Sequence, residues 1–583
     1  MTMPAGRRAP SVRRWVVRDA GPPGLAQSLA RALGVSETTA ALLAARGVST
    51  EAEARALLRP TLAHLHDPFL MLGMGEAVER VLRAVDAGER ILIYGDYDVD
   101  GTTGTVVLRR ALEVLGARTG YHVPHRFTEG YGIRRDVLER ARAEGYTLVV
   151  SVDCGIRAFE PLEWARGAGL DVIVTDHHLP DEGEGAPPAF AVLNPNQRGC
   201  PYPDKNLAGV GVAFKLAHAL FRARDREKLV PGFLKVVAIG TVADVAQLVG
   251  ENRAIVSLGL ADLHRATNPG LRALMEVAGC GDGRPVRAFD LGFRVGPRIN
   301  AAGRMDAARA VVELFEADGI EEARRLAARL DALNAERQRV QQEVTERALV
   351  ELEAGPHADA AVALAAGRGW HRGVIGLAAS KLCERTGRPA LVVSLDEDGT
   401  GHGSARSTED FHMLDALTGA ADLLESFGGH AHAAGLVVRE ENLPALRRRL
   451  NEHAARAACL AAPEPCLHAD LELEPEAISL ELCDELSALE PFGAGWPDPV
   501  FVTRDLRVVG EPRVMKERHL KFNVNTPAGR VHEAVWWGGV ERATATPRPG
   551  RRIELAYAVE ANTWNGHRRL QLSVKDLKEV SSS

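Results

Sequence analysis

Three short β-branched runs, ILIYG (91–95), TLVVSV (147–152) and DVIVT (171–175), alternate with helical stretches such as TGTVVLRRALEVLG and RRDVLERARAEG. Runs this uniformly apolar must be covered on both faces, and the stretches between them are long enough for crossover helices. That confines the region to βαβ units around a parallel sheet. Each run ends in acid or imidazole. Asp96, Asp98 and Asp100 follow the first within GDYDVDG, Asp153 follows the second, and Asp176, His177 and His178 follow the third. In an open α/β sheet the carboxyl edge of the strands is where ligands bind. Unpaired buried charges are costly, so this convergence calls for divalent cations. Mixed carboxylate and histidine ligands suit Mn2+, with Mg2+ next and Zn2+ less well. A pair of such ions can activate a water and stabilise the leaving oxygen of a phosphodiester.

Two other readings of these segments fail on spacing. Asp96 to Gly101 matches the start of a calcium loop, but the twelfth position, which needs glutamate, is Val107, and a strand precedes it. LAGVGVAFKL (207–216) has Gly209 and Gly211, but Phe214 holds the third position of a dinucleotide fingerprint and no strand leads into it. It is read as close helix packing.

With 583 residues the chain is a multidomain protein. Its 46% hydrophobic and 26% charged residues exclude wholesale disorder. The expected division is a helical lead over 1–60, the first α/β domain over 61–304, and a bridging helix over 305–353 interrupted at Gly319. A smaller second α/β domain over 354–460 and a strand-rich β-barrel over 461–583 complete it. A net charge of −7 excludes a uniformly basic nucleic-acid coat. The last 83 residues, however, hold 15 Lys/Arg against 9 Asp/Glu, a local balance of +6. With Phe522, Trp536, Trp537, Tyr557 and Trp564 interleaved, this fits an OB fold that tracks a single strand by charge and stacking. Seven scattered cysteines without a C-x-x-C pair imply a reducing compartment. Neither a signal-peptide core nor a membrane-spanning apolar run is present, so a cytoplasmic protein without a membrane role is expected.

GDYDVDG, SVDCG (151–155), TDHH (175–178) and GTVADVAQL (240–248) together resemble the motifs of the DHH phosphoesterase superfamily. More closely, the chain resembles the bacterial RecJ family of single-strand-specific 5′→3′ exonucleases, over about residues 40 to 575. The resemblance implies a DHH domain, a DHHA1-type domain joined by a long helix, and a C-terminal OB fold. It implies two Mn2+ or Mg2+ ions held by Asp96, Asp98, Asp100, Asp153, His177 and Asp244. His178 would touch the scissile phosphate or leaving group, and Asp176 would orient an imidazole. Tyr94 stands where many relatives outside the exonuclease branch carry histidine, which Asp96 would offset. GPRINAAGRM (296–305) would turn Arg298 and Arg304 towards the strand's phosphates. GSARS (403–407) and GGHAHAAG (428–435) would place Ser404, Arg406 and His430 on a nucleotide phosphate. GWHRGVIG (369–376) and LEPFGAGWPDP (489–499) also fit, with Trp496 where asparagine is usual.

The implied activity is hydrolysis of single-stranded DNA from a 5′ end to 5′-mononucleotides, in recombination and repair. Single-stranded-DNA-binding protein and a RecQ-type helicase are the implied partners. Two rivals differ in class. A DHH phosphodiesterase of short oligonucleotides or cyclic dinucleotides would not need the barrel. A non-catalytic replication scaffold would not need the intact acidic motifs.

Overall fold

The computed structural model describes residues 13–181, 183, 185–281, 283–305, 307–354, 360–458, 466–542, 547–564 and 567–580. The chain opens with strand β1 (Arg14–Val17) and helices α1 (Leu25–Leu33), α2 (Glu37–Ala45) and α3 (Glu51–Leu58). Thr50 and Glu53 form a capping box at the start of α3. Helix α4 (Met74–Asp86) then leads into the first sheet, of strands β2 (Arg90–Tyr94), β3 (Arg118–His122), β4 (Tyr146–Val152), β5 (Asp171–Thr175) and β6 (Ala191–Leu193). Their order is β3-β2-β4-β5-β6, all parallel. Helices α5 (Val99–Val114), α6 (Arg135–Ala143) and α7 (Phe159–Gly167) make the crossovers. The sheet therefore has two strands, β3 and β6, beyond the three read from sequence. RTGYH and AVL carry too little apolar periodicity to stand out alone.

Helices α8 (Gly209–Ala223), α9 (Leu234–Ala243) and α10 (Gly250–Ala261) share the sheet's apolar cluster, and α11 (Pro269–Val277) joins α9 and α10 in a second one. Next, α12 (Ala288–Asp290) runs through a π-helical turn into α13 (Gly296–Arg304). The stretch read as one bridging helix is two: α14 (Arg309–Glu316), then α15 (Ile320–Ala354) of 35 residues. The first half of α15 buries Ala323, Ala327 and Leu330 against the first domain. Its second half buries Val344, Ala348 and Leu352 against the next one.

That second domain contains β7 (Ala363–Arg368), α16 (Arg372–Thr386), β8 (Ala390–Leu395), β9 (Thr400–Arg406), α17 (Met413–Thr418), β10 (Leu424–Gly429), β11 (Ala433–Arg439) and α18 (Leu443–Ala458). Its sheet order is β10-β11-β9-β8-β7, with β7 and β8 parallel and the rest antiparallel. Short strands β12 (Cys466–Ala469) and β13 (Leu471–Glu472) and helix α19 (Leu480–Ser487) then lead to β14 (Phe501–Met515), β15 (His519–Asn525), β16 (Val531–Trp536), β17 (Arg552–Trp564) and β18 (His567–Glu579). These five close into a barrel because β14 pairs with both β15 and β17.

The N-terminal lead belongs to the barrel's core. Strand β1 pairs in parallel with β12, and Leu29, Leu42, Leu43 and Ala54 share one apolar cluster with Phe501, Trp536 and Tyr557. The Trp15 indole donates to Asp576 at 2.8 Å. No helix among the described residues is long and apolar enough to cross a membrane.

Arg253 of α10 ties the first domain to this terminal unit. Its buried guanidinium donates to the carbonyls of Leu57, Leu489, Glu490 and Pro491. Trp496 packs against it at 5.4 Å and against Arg46 at 4.8 Å, while Arg46 forks onto Asp470. Trp496 is thus a platform for two desolvated cations. Replacing Arg253 with methionine strands several buried carbonyls and is expected to cost about 3 kcal/mol. Calorimetry on Arg253→Met should show the terminal unit melting ahead of the first domain, where the parent melts as one. A single unshifted transition would refute this coupling.

Candidate metal centre and phosphate cleft

Each strand of the first sheet ends at the same edge, and the chain turns sharply there to aim carboxylates inward. Asp98 is the N-cap of α5 and accepts from the Gly101 N–H at 3.0 Å. Asp100, two residues on in the first turn, accepts from the N–H groups of Gly209 (2.6 Å) and Val210 (2.7 Å) at the start of α8. A helix N-terminus is a favourable place for a buried carboxylate. Gly209 is needed because a Cβ there would lie 2.6 Å from an Asp153 oxygen. The LAGVG segment therefore secures two site aspartates besides packing closely. Asp153 follows β4 with φ of 63°, a left-handed conformation that costs a non-glycine residue free energy and recurs at functional sites. Val245, next to Asp244 at the end of α9, is likewise left-handed with φ of 61°.

The side chains meet at short range. His177 Nε2 lies 3.2 Å from Asp153 Oδ1, 3.7 Å from Asp100 Oδ2 and 4.0 Å from Asp244 Oδ2. Two separate triads, Asp96/Asp98/Asp153 and Asp100/His177/Asp244, each gather ligand atoms within 4.8 Å of one another. A third grouping joins Asp153, His177 and His178. Asp96 Oδ1 and Asp153 Oδ1 are buried without a hydrogen-bond partner. Orphaned carboxylate oxygens among like charges are what a divalent cation satisfies, so the residues present fit Mn2+ or Mg2+.

Burial, then the neighbouring carboxylates, raises Asp96 to about 8, Asp100 to about 7 and Asp244 to about 9. Asp153 is raised well above the carboxylate range for the same reasons. Asp176 goes the other way. Burial opposes its charge, but the His178 ring and the N–H groups of Ile156 and His178 outweigh it. Burial, reinforced by the charge of His178, lowers His177 to about 4. His178 is raised, because Asp176 and the site aspartates overcome its desolvation. Asn194 and Asn196 fix the turn by donating to the carbonyls of His178 and His177. Tyr94 is buried in the core and donates to the Gly132 carbonyl.

Beside the acids lies a group of arginines. Arg304 is held to about 10 by burial and then by the charges of Arg126, Arg337 and Arg406, and it also feels Asp98. It donates to the Gly373 carbonyl across the domain boundary. Arg406 donates to Ser404 Oγ and the Ala405 carbonyl, Arg337 to Asn334 and Gln341, and Arg126 lies over Tyr97 at 4.7 Å. None of the four makes an ion pair with a carboxylate among the described residues. Desolvated cations without counter-charge make an anion site.

Arg298, expected to face the strand's phosphates, points elsewhere: it pairs with Asp331 of α15 at 2.9 Å and caps the Arg294 carbonyl. His430 is exposed in the turn between β10 and β11 and accepts from the His432 N–H. His371 is the N-cap of α16 and meets Phe127 edge-on. Arg126, Arg337 and Tyr131 were not singled out from sequence, since no motif spacing marks them.

In the barrel, Phe522, Trp536 and Tyr557 are core, whereas Trp537 is 51% exposed. The side chain of Trp564 lies outside the described residues. Trp537 borders a cavity of about 390 Å³ that Met515, Lys521, Val535, Arg569 and Gln571 also line.

Family models match three parts of the chain: "DHH family, N-terminal domain" at 90–241, "DHHA1 domain" at 359–456 and "RecJ OB domain" at 469–576. The single-stranded-DNA-specific exonuclease RecJ of Bacillus subtilis is 38% identical over 556 residues, covering 94% of this chain and 69% of the relative. That of Escherichia coli K12 is 37% identical over 566 residues, covering 92% and 95%. The crystal structure of RecJ from Thermus thermophilus in complex with Mn2+ superposes with a TM-score of 0.82 at 32% identity, covering 98% of this chain and 80% of that one. The Mg2+ complex of the same protein gives 0.76 at 31% identity, covering 98% and 79%.

Carboxylates with raised pKa bind more protons folded than unfolded, so their contribution is full below about pH 4 and lost as pH rises. With values of about 7 to 9 in the site, the EDTA-treated protein should lose thermal stability progressively from about pH 4 to about pH 9 and level off above that. Mn2+ should restore most at the alkaline end. A melting point insensitive to both, followed by scanning fluorimetry, would mean that something other than a cation neutralises the cluster.

Proposed function

The chain belongs to the RecJ family of single-stranded-DNA-specific exonucleases, and on that footing we propose that it hydrolyses single-stranded DNA from a 5′ end to 5′-mononucleotides. One observation carries the reading: a buried acidic cluster stands beside a group of arginines without carboxylate partners among the described residues, with Arg304 bonded to the Gly373 carbonyl of the second domain. The negative side suits cations and the positive side suits the phosphates of a strand.

In this reading Asp96, Asp98, Asp100, Asp153, His177 and Asp244 hold two ions, Mn2+ or Mg2+. When bound, the ions supply the positive charge that acidifies a water nucleophile and offsets charge on the phosphate. The protein's own residues do the placing. Arg304 and Arg406, with Arg126 and Arg337 beside them and Ser404 as a neutral donor, hold a strand phosphate so that the scissile bond reaches the acidic edge. Placing one phosphate end-on would set the polarity of attack. His178, oriented by Asp176 at 2.8 Å, faces the scissile group. The barrel follows the strand beyond the acidic edge, with the exposed Trp537 offering a stacking face. A cytoplasmic place, a role in recombination and repair, and the single-stranded-DNA-binding protein and RecQ-type helicase as partners complete the proposal.

The deciding experiment digests 5′-labelled and 3′-labelled single strands with Mn2+ or EDTA. The 5′ label should appear first as mononucleotide, only with metal, and Asp153→Ala should be slower by about a thousandfold or more while still folded. Release of the 3′ label first, or a folded Asp153→Ala at near-parent rate, would sink the reading. For the barrel, Trp537→Ala should weaken binding to long strands by about tenfold with an unchanged salt slope, since stacking but no charge is removed. Cleavage of very short oligonucleotides should hardly change. Unchanged binding and cleavage of long strands would return the rival reading, a short-oligonucleotide phosphodiesterase that does not need the barrel.

A further inference from the structure

The loop from His125 to Arg134 brings one side chain to the catalytic edge that no sequence motif or ligand triad uses. Tyr131 stands between Gly130 and Gly132, whose φ values of 76° and 96° are left-handed and allow the tight reversal. The loop is pinned on several sides. The Tyr94 hydroxyl donates to the Gly132 carbonyl at 3.1 Å, Arg134 donates to the Glu129 carbonyl, and the Glu129 carboxylate accepts the His125 N–H. From this support the Tyr131 ring packs against His178 with centroids 5.5 Å apart. Its oxygen lies 3.1 Å from His178 Nδ1 and 3.2 Å from the Asp153 carbonyl oxygen.

The directions of these bonds follow from what each atom can do. Asp176 Oδ1 accepts from the backbone N–H groups of His177 (2.8 Å) and His178 (3.1 Å) and lies 2.8 Å from His178 Nδ1. A carboxylate only accepts, so Nδ1 carries the hydrogen. The Tyr131 oxygen then accepts from that same N–H, and its own proton goes to the Asp153 carbonyl, which can only accept. The phenol thus joins the imidazole after β5 to the strained backbone after β4.

We propose that Tyr131 is a positioning residue for His178. Its hydroxyl and Asp176 share the Nδ1 hydrogen from two directions, which sets the tilt of the ring and leaves Nε2 as the nitrogen available to the substrate. The proposal rests on the exonuclease reading for its kinetic consequence, but not for its geometry.

The test is a double-mutant cycle with a spectroscopic companion. Single-turnover cleavage of a short 5′-phosphorylated oligonucleotide is measured for the parent, Tyr131→Phe, His178→Ala and the double variant, all with Mg2+. Tyr131→Phe should lower the maximal rate about tenfold with apparent KM within about twofold. In the His178→Ala background the same change should cost less than about twofold, because a residue acting through His178 has nothing left to act on. In the Mg2+-loaded protein carrying nitrogen-15 histidine, the His178 ring resonances, assigned by their loss in His178→Ala, should report one Nδ1-protonated form in the parent and a broadened or mixed form in Tyr131→Phe. A parent-like rate, an equal loss in both backgrounds, or a loss confined to KM would overturn the proposal. If the parent cleaves nothing, the exonuclease reading fails by itself. The ring spectrum still decides the positioning, since unchanged His178 resonances in Tyr131→Phe would overturn it.

Discussion

Buried carboxylates that repel one another impose the main constraint on this structure. Asp96, Asp100 and Asp153 are almost fully buried, and Asp244 stands at their margin. Holding them together without a cation is unfavourable, so the scaffold must offset that cost with rigidity and directed dipoles. The parallel sheet does this by ending its strands on one line, and the N-terminus of α8 by turning two N–H groups onto Asp100. Asp153 itself stands in left-handed backbone at this edge.

The arginines beside this edge are the complementary liability. Arg304, Arg337 and Arg406 are desolvated and lack carboxylate partners, although each has neutral acceptors that hold its plane. They come from three elements, α13, α15 and β9, and the long α15 braces them because it belongs to the core of both domains. The Arg304 bond to the Gly373 carbonyl spans the same boundary. Arg253, Arg46 and Trp496 likewise fasten the barrel and the N-terminal helices to the first domain. The arginine group, the acidic cluster and the barrel are thereby held on one frame.

Much of this was legible in the order of residues. The strand-end acids were visible because a buried parallel strand is a continuous apolar run and the charge that follows it stands out. The barrel was visible from strand spacing and its local charge. Arg298 and Arg304 could not be told apart in that way. Six residues apart on a helix, they differ by about 240° around the axis, so one motif supplies an ion pair for α15 and a cation for the cleft. The barrel aromatics were equally ambiguous. Trp536 ends strand β16 facing inward, and Trp537, one residue on, faces out, an alternation whose phase depends on which partner strand closes the barrel.

The sequence by itself determined the parallel sheet, the acidic and imidazole groups at its edge and the need for cations there. All of these depend on short-range pattern and on the cost of burying charge, which act within a few residues. Only the tertiary structure decided which arginines are left without a counter-ion, that Gly209 clears room for Asp153, that the N-terminal helices complete the barrel's core, and that Tyr131 reaches His178. Those depend on contacts between residues tens to hundreds of positions apart, and side-chain direction at such separations is set by packing rather than by local pattern.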